Sequence, residues 1–494
     1  MSNTIPAHGD MYTAAARRGG VDLATVARAA QAAQDIYNRN QSTQTATTTK
    51  ARSAALVTTE TTSHSNDGAE LARECDQRKQ SEDWQQHVMD MQSVMWQITK
   101  VKSLAGCHRW RMNTAKEVGI KWRKGSRGRF VGLQNSHSVW GSPLAALGII
   151  RGRRAEVQAA LDSHVKAGGG ALFMTLTLRH KKGHDLGKLW DALGKCWTKT
   201  TSGSGAWNGT KTYEGDKRRY GIAHWIKSVE VTTGPNGWHP HLHVIMLTER
   251  TLSDDEMSSL AGRMRERWIN AALNEGLAAP SKARALDVQQ LAAGATTANL
   301  AGYLTKGMIS GLAAEGTGGQ IKAARGDNRT PFQVLEDMAA DKAQGKAFNP
   351  ADVAIWHEWE QASYRRRFMA WSAGAKAALG IADLTDEELF NLVEEQDDRA
   401  ADQVELIAAI APHDWQRVQS NASTRMFIVK AVEGAETAEQ ARRLVLEALE
   451  AVGISGRAVS APVQHERLDA LARLDSASGR PEVVRPEARS VLAA

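Results

Sequence analysis

The stretch Trp238-His239-Pro240-His241-Leu242-His243-Val244-Ile245-Met246-Leu247 alternates polar with apolar side chains and closes on an unbroken apolar run. Alternation of this kind marks a β-strand, in which side chains two apart share a face. His239, His241 and His243 then point to one side, and Leu242, Val244 and Met246 to the other. Pro240 has no amide proton to give to a ladder, which places it at the first residues of the strand or on a sheet edge. Two imidazoles at successive same-face positions can grip one divalent ion. A lone strand histidine is usually an incidental, partly exposed residue; three in alternation beside an apolar run are not.

Immediately upstream, Gly234-Pro235-Asn236-Gly237 separates this run from a second strand-like run, Ala223 to Thr232. Proline fixes one φ, while glycine and asparagine accept positive values, so the two runs pair as an antiparallel hairpin. The pairing brings Glu230, in Ser228-Val229-Glu230-Val231-Thr232, within reach of the histidines as an oxygen ligand. Taken alone, Glu230 is equally well read as an exposed or ion-paired glutamate. Histidines with a carboxylate and open water positions suit Mg²⁺ or Mn²⁺ acting on phosphate, although imidazoles also accept Zn²⁺, Ni²⁺ or Co²⁺.

Working outward, Arg154 to Val165 reads as a helix, Leu172 to Arg179 as a half-buried strand, and Leu186 to Thr200 as a helix before the Gly/Ser-rich loop Thr201 to Gly215. Ser253-Asp254-Asp255-Glu256 is a capping box for a helix carrying Met257, Leu260, Met264 and Trp268. Ala285 to Leu291 is a further strand, followed by a helix from about Thr296. On that helix, Gly302-Tyr303-Leu304-Thr305-Lys306-Gly307 puts Tyr303 and Lys306 three apart on one face, where both can address one phosphate. A free phenol, with a pKa of about 10, needs a nearby cation or a polarised phosphate to act as a nucleophile. By itself this spacing more often means a packed tyrosine and a solvated lysine. The fold class is α+β, with a central, mainly antiparallel sheet and flanking helices.

Around this core (residues 84–379) the texture changes. Residues 1–83 are polar and Thr/Ser/Gln-rich and read as a flexible extension with too little apolar surface to offset ordering. Residues 380–460, opening with the capping box Thr385-Asp386-Glu387-Glu388, read as a helical module, and 461–494 as a loose tail. Lys and Arg total 62 against 55 Asp and Glu, a formal charge of +7 that suits a polyanionic partner without requiring one. The basic runs Lys121 to Arg129 and Arg365-Arg366-Arg367 are either phosphate contacts or solvated faces, and for Lys121 to Arg129 DNA contact is the favoured reading. Trp207, Trp225 and Trp238 either stack on unpaired bases or, as is commoner, pack in the core. Three cysteines, Cys75, Cys107 and Cys196, rule out a disulfide framework or a four-cysteine zinc site. No signal segment or apolar run of about 18 residues is visible, which predicts a soluble cytoplasmic protein with no membrane partner.

Three of these segments, in order, resemble the motifs of plasmid rolling-circle replication initiators, within the HUH endonuclease class named for a His-hydrophobe-His pair. Phe173-Met174-Thr175-Leu176-Thr177-Leu178-Arg179-His180 resembles the first motif, Glu230 through His243 the metal motif, and Gly302 to Lys306 the nucleophile motif. Arg329-Thr330-Pro331-Phe332, the Trp356 to Glu360 helix and Trp371 resemble the downstream part of the actinobacterial branch, so that the resemblance runs from about Val139 to Leu379. It implies His241 and His243 as paired ligands, Glu230 as the third, Tyr303 as nucleophile and Lys306 as its phosphate-positioning partner. The implied partners are plasmid origin DNA, single-stranded or in an extruded hairpin, and host helicase and polymerase; self-association stays open.

The chain departs from the family twice. Many relatives carry Cys-Pro-x-Cys where this chain has Ser142-Pro143-Leu144 after Trp140, and some carry a glutamate where it has Asn299. Two other readings therefore stand beside the replication initiator: a relaxase- or transposase-like nuclease with the same ligands, and a catalytically inactive DNA-binding regulator. An unrelated metallohydrolase using water, with Tyr303 structural, is a third.

Overall fold

The computed structural model describes residues 84–201, 205–290, 297, 301, 304, 328–401 and 403–462. Helix α1 spans residues 84–98 and is followed by strands β1 (Val118–Arg123) and β2 (Arg129–Val131). Then come α2 (Pro143–Lys166), β3 (Gly170–Thr177), α3 (Leu186–Thr201), β4 (Ile222–Gly234), β5 (Gly237–Thr248), α4 (Asp254–Asn274) and β6 (Leu286–Gln290). Beyond residue 328 lie α5 (Pro331–Ala343), α6 (Pro350–Ser363), β7 (Met369–Trp371) and α7 (Asp386–Ala400). The described chain closes with β8 (Val404–Ile410), α8 (Pro412–Val418), α9 (Ala422–Lys430), α10 (Ala438–Ala451) and β9 (Gly456–Pro462). The architecture is α+β, as the sequence predicts.

The hairpin forms where the alternation puts it. Gly234 pairs with Gly237 across a Pro235-Asn236 tip, and Gly237 takes a φ of 83°, a value that costs glycine nothing. Its strands are the middle of a five-stranded sheet of order β6-β3-β5-β4-β7, in which every neighbouring pair is antiparallel.

One face of that sheet carries Leu172, Met174 and Leu176 of β3 beside Leu242, Val244 and Met246 of β5. It is covered by α3 and α4, whose Leu193, Cys196, Trp197, Leu260, Met264 and Trp268 are all buried at helical spacing. The Trp268 indole donates to the Thr177 carbonyl at 2.9 Å, tying α4 to the end of β3. On the opposite face, Ile226 and Ile245 pack against Val157, Ala160 and Leu161 of α2 and against Ala301 and Leu304. The polar histidine face therefore begins where this second apolar layer ends.

Residues 380–460 are not purely helical, which corrects the sequence reading. Strands β8 and β9 join β1 and β2 in a four-stranded antiparallel sheet of order β2-β1-β8-β9, with Val118 opposite Ile410 and Arg123 opposite Val404. Helix α7 also lies tight on α2. A Cβ added at Gly148 would stand 2.6 Å from the Phe390 ring, and one added at Gly152 2.5 Å from Leu389 Cγ, so only glycine at these two positions lets the helices approach this closely. The expected Ser253 and Thr385 capping boxes are both present.

The basic run 121–129 proves to be an internal clamp. Asp398 of α7 holds Lys121 at 2.7 Å and Arg123 at 2.8 Å, Glu433 holds Arg127 at 2.9 Å, and Glu394 pairs with Arg129. Arg366 likewise pairs with Asp191 at 2.7 Å. Trp207 and Trp238 are core residues at 5% and 4% exposure, and Trp225 packs edge-on against Trp197. Among the described residues, no helix is long and apolar enough to cross a membrane. The extension 1–83 and residues 463–494 of the expected tail lie outside the described residues.

Candidate metal centre

Antiparallel register decides the site. In the β4–β5 ladder Glu230 stands opposite His241 and Ser228 opposite His243; in the β3–β5 ladder Thr175 stands opposite His243 and Thr177 opposite His241. Residues opposite one another share a face, so one hairpin and one neighbouring strand gather a carboxylate, two imidazoles and a hydroxyl. Glu230 Oε2 lies 2.7 Å from His241 Nε2 and 2.6 Å from His243 Nε2.

These three side chains are the one group of candidate metal ligands among the described residues, with their donor atoms all within 4.8 Å of one another. Their side chains keep 12–19% exposure, enough to admit a ligand from outside. Cys107, His108 and His137 do not assemble into such a group. Cys107 is fully buried and points its thiol at Ser142 Oγ, 3.4 Å away, while Ser142 caps α2 where relatives have the first cysteine of their pair.

The rings are held from behind. Thr175 Oγ1 sits 3.2 Å from His243 Nδ1, and Phe173 stacks on the same imidazole at 5.4 Å and 18°. A partner on Nδ1 leaves Nε2 facing Glu230, the arrangement by which outer residues orient a ligand. His239, the third histidine of the run, is not one of the three candidate ligands; its ring lies 4.8 Å from that of His241 and stacks on His180 at 4.5 Å, while His180 Nδ1 lies 3.2 Å from the Asn236 carbonyl. Phe173, Thr175 and His180 fall in the segment resembling the first motif, but only the register shows which ring each one touches.

The electrostatics suit a metal. Burial pushes the Glu230 carboxyl upward, but the hydrogen bonds with His241 and His243 outweigh it and hold the group below the ordinary carboxylate range. Burial, helped by the neighbouring imidazoles, pushes His239 down to about 3. Burial also pushes His243 below the usual histidine value, against the pull of Glu230. At neutral pH the carboxylate is therefore ionised and the His243 imidazole neutral, which are the ligating forms. The His241 Nδ1 is buried with no partner among the described residues. Chemically and geometrically, the set fits a divalent cation with one carboxylate oxygen and two imidazole nitrogens.

Tyr303 and Lys306 lie outside the described residues, as does Asn299. Leu304 is described. It is 1% exposed, and its carbonyl accepts the Ser228 hydroxyl at 2.6 Å; Ser228 stands opposite His243, on the same face of β4 as Glu230.

An α+β protein whose central antiparallel hairpin carries a two-histidine, one-carboxylate cluster is thus the class that fold and site define. Among curated proteins, 297 residues of the chain match a protein named Protein rep from Streptomyces lividans at 28% identity, covering 51% of this chain and 65% of that protein. The match thus spans less than two thirds of that relative. A stretch of 151 residues is 30% identical to a protein named neomycin resistance protein from Streptomyces cyanogenus, covering 26% of this chain and 35% of that one. No family model matches the chain, and no solved structure matches it. The chain is accordingly similar to plasmid Rep proteins of the actinobacterial type, the branch its motifs resemble.

Proposed function

We propose that this chain is a plasmid rolling-circle replication initiator, which nicks single-stranded or hairpin-extruded origin DNA and later rejoins it. The observation that carries the reading is the convergence of Glu230, His241 and His243 on one face of the hairpin. Those residues would hold a divalent ion, Mg²⁺ or Mn²⁺, which when bound polarises a scissile phosphate. Tyr303 gives up its phenolic proton to water and attacks the phosphorus, the P–O3′ bond breaks, and the departing 3′ oxygen takes a proton from water to become a free 3′ hydroxyl. The new 5′ end stays on the tyrosine, and the retained ester lets the 3′ hydroxyl reverse the step. Lys306 neutralises the phosphate as the phenolate adds.

Support for Tyr303 in this role comes from its neighbour Leu304, whose carbonyl is anchored to Ser228 on the cluster's own strand. Similarity to a protein named Protein rep supports origin DNA as the substrate. A host polymerase to extend the 3′ end and a host helicase to open the duplex are the further partners implied by the motif resemblance.

The test incubates labelled single-stranded origin DNA with the purified chain and Mn²⁺ and resolves it on a denaturing gel. A covalent band is expected with the unmutated protein and absent with Tyr303→Phe and with His241→Ala. Cutting that survives Tyr303→Phe would replace the tyrosine by a water nucleophile. Binding without cutting, across several origins and metals, would make the protein a regulator. A relaxase- or transposase-like enzyme gives the same band, and is separated by asking whether the gene alone sustains a plasmid bearing its origin.

A further inference from the structure

A cavity of about 470 Å³ lies away from the histidine cluster, where the β2-β1-β8-β9 sheet meets α1, α2, α7 and α9. Among its lining residues cationic side chains outnumber carboxylates seven to two. Most of these cations are neutralised by the clamp described above and by Arg151 on Asp397. Two are not. Arg154 and Arg425 have no carboxylate partner among the described residues, although Arg425 is only 4% exposed.

Arg425 is held by aromatic rings instead, with its guanidinium carbon 5.0 Å from Trp415 and 5.2 Å from both Trp96 and Phe130. One terminal nitrogen donates to the Gln419 carbonyl at 3.2 Å, while Nε is buried without a partner. His108 Nε2, on the same cavity, is also buried without a partner. A buried guanidinium without a counter-charge is costly to keep unless something anionic completes it. Burial, reinforced by the nearby Arg129 and Arg425, holds His108 down to about 3.

We propose that this cavity is a nucleotide site, in which Arg154 and Arg425 meet the phosphate and the aromatic walls, Trp84, Phe130 and Phe390 among them, take the base. Uncompensated arginines with unused donors select a phosphate over a neutral ligand. Flat apolar walls and a volume in the range of small-molecule pockets select a nucleotide over a bare phosphate. The site stands on a different sheet from Glu230, His241 and His243, and does not rest on the nicking reading. The nucleotide comes either free, as a nucleoside triphosphate, or as one residue of a DNA strand.

The experiment titrates the full chain in EDTA, so that the histidine cluster contributes nothing through a metal. Calorimetry follows dATP, and in separate arms pyrophosphate and a short oligothymidylate compete. Saturable dATP binding is expected, weakened about tenfold or more in Arg154→Gln and in Arg425→Lys and unchanged in His241→Ala. Should Arg425→Lys fail to fold, Arg154→Gln carries the test. Saturable binding of the oligonucleotide without binding of free dATP, still weakened in Arg154→Gln, assigns the site to a strand nucleotide. No saturable binding of dATP or oligonucleotide in EDTA overturns the proposal, as does binding that neither variant weakens.

Discussion

Glu230 stands directly across the β4–β5 ladder from His241, and its single oxygen Oε2 lies within 2.7 Å of both His241 Nε2 and His243 Nε2. The cluster is thus a product of strand register, and a slip of one residue between β4 and β5 would put Glu230 on the face opposite the two histidines. Glu230→Gln keeps the shape and removes the charge. Mn²⁺ affinity by calorimetry should fall by more than about 100-fold, beyond the 10–100-fold typical of losing an outer-shell partner. An unchanged affinity would remove Glu230 from the ligand set.

Thr175 tests the layer behind. Its hydroxyl meets His243 Nδ1 at 3.2 Å, so Thr175→Val, similar in size, frees the ring without removing a ligand. Mn²⁺ affinity should weaken about 10–100-fold, with the unfolding midpoint of the metal-free protein little changed. Equal affinity in the two proteins would mean that the Phe173 stack alone orients the ring.

Ser228 separates metal binding from strand cleavage. Its hydroxyl donates to the Leu304 carbonyl at 2.6 Å in a buried setting, and Ser228→Ala leaves that carbonyl unpaired at a cost of about 1–3 kcal/mol. The local loss should loosen the segment bearing Tyr303, lowering the yield of covalent adduct while Mn²⁺ affinity stays within about twofold. Full adduct yield at normal rates would show that the Ser228 contact does not position the nucleophile.

The hairpin was legible because each of its signals is local. His239 to Met246 alternates, Gly234-Pro235-Asn236-Gly237 turns the chain, and once the strands pair Glu230 must fall near the histidines. The second sheet was not, for two reasons. Val404-Glu405-Leu406-Ile407-Ala408-Ala409-Ile410 is a short apolar run between helices, and such runs do not distinguish strand from helix by period. Its partner β1 lies almost 300 residues earlier in a stretch whose lysine and arginines dominate the reading. Nothing local in Lys121 or Arg123 says that Asp398 will neutralise them.

That long-range clamp is itself testable. Asp398 is 4% exposed and faces Lys121, whose ammonium burial pushes below the ordinary lysine value. Asp398→Asn keeps the volume and strands a buried cation, which should cost about 3 kcal/mol or more in urea unfolding. A loss under about 1 kcal/mol would mean that water reaches Lys121 once the carboxylate is gone.

Lys227, on the helix-covered face of the central sheet, is the converse case. Its ammonium lies 5.7 Å from the Trp197 ring and 5.6 Å from Trp225, with no carboxylate partner among the described residues, and burial pushes it from 10.5 down to about 8. Below pH 8 the lysine is charged in both folded and unfolded chains, and the folded chain bears the desolvation. Between about 8 and 10.5 the folded chain gives up its proton first, so the unfolded chain binds more protons and stability rises with pH. Lys227→Met removes the charge and keeps the length. It should stabilise the protein at pH 7 by about 1–3 kcal/mol, the upper figure reduced by what the two indoles return through cation–π attraction. The gap between variant and parent, read from urea midpoints so that other titrating groups cancel, should narrow from pH 7 to pH 9.5. A gap that stays constant would show that the ammonium is solvated in the folded chain.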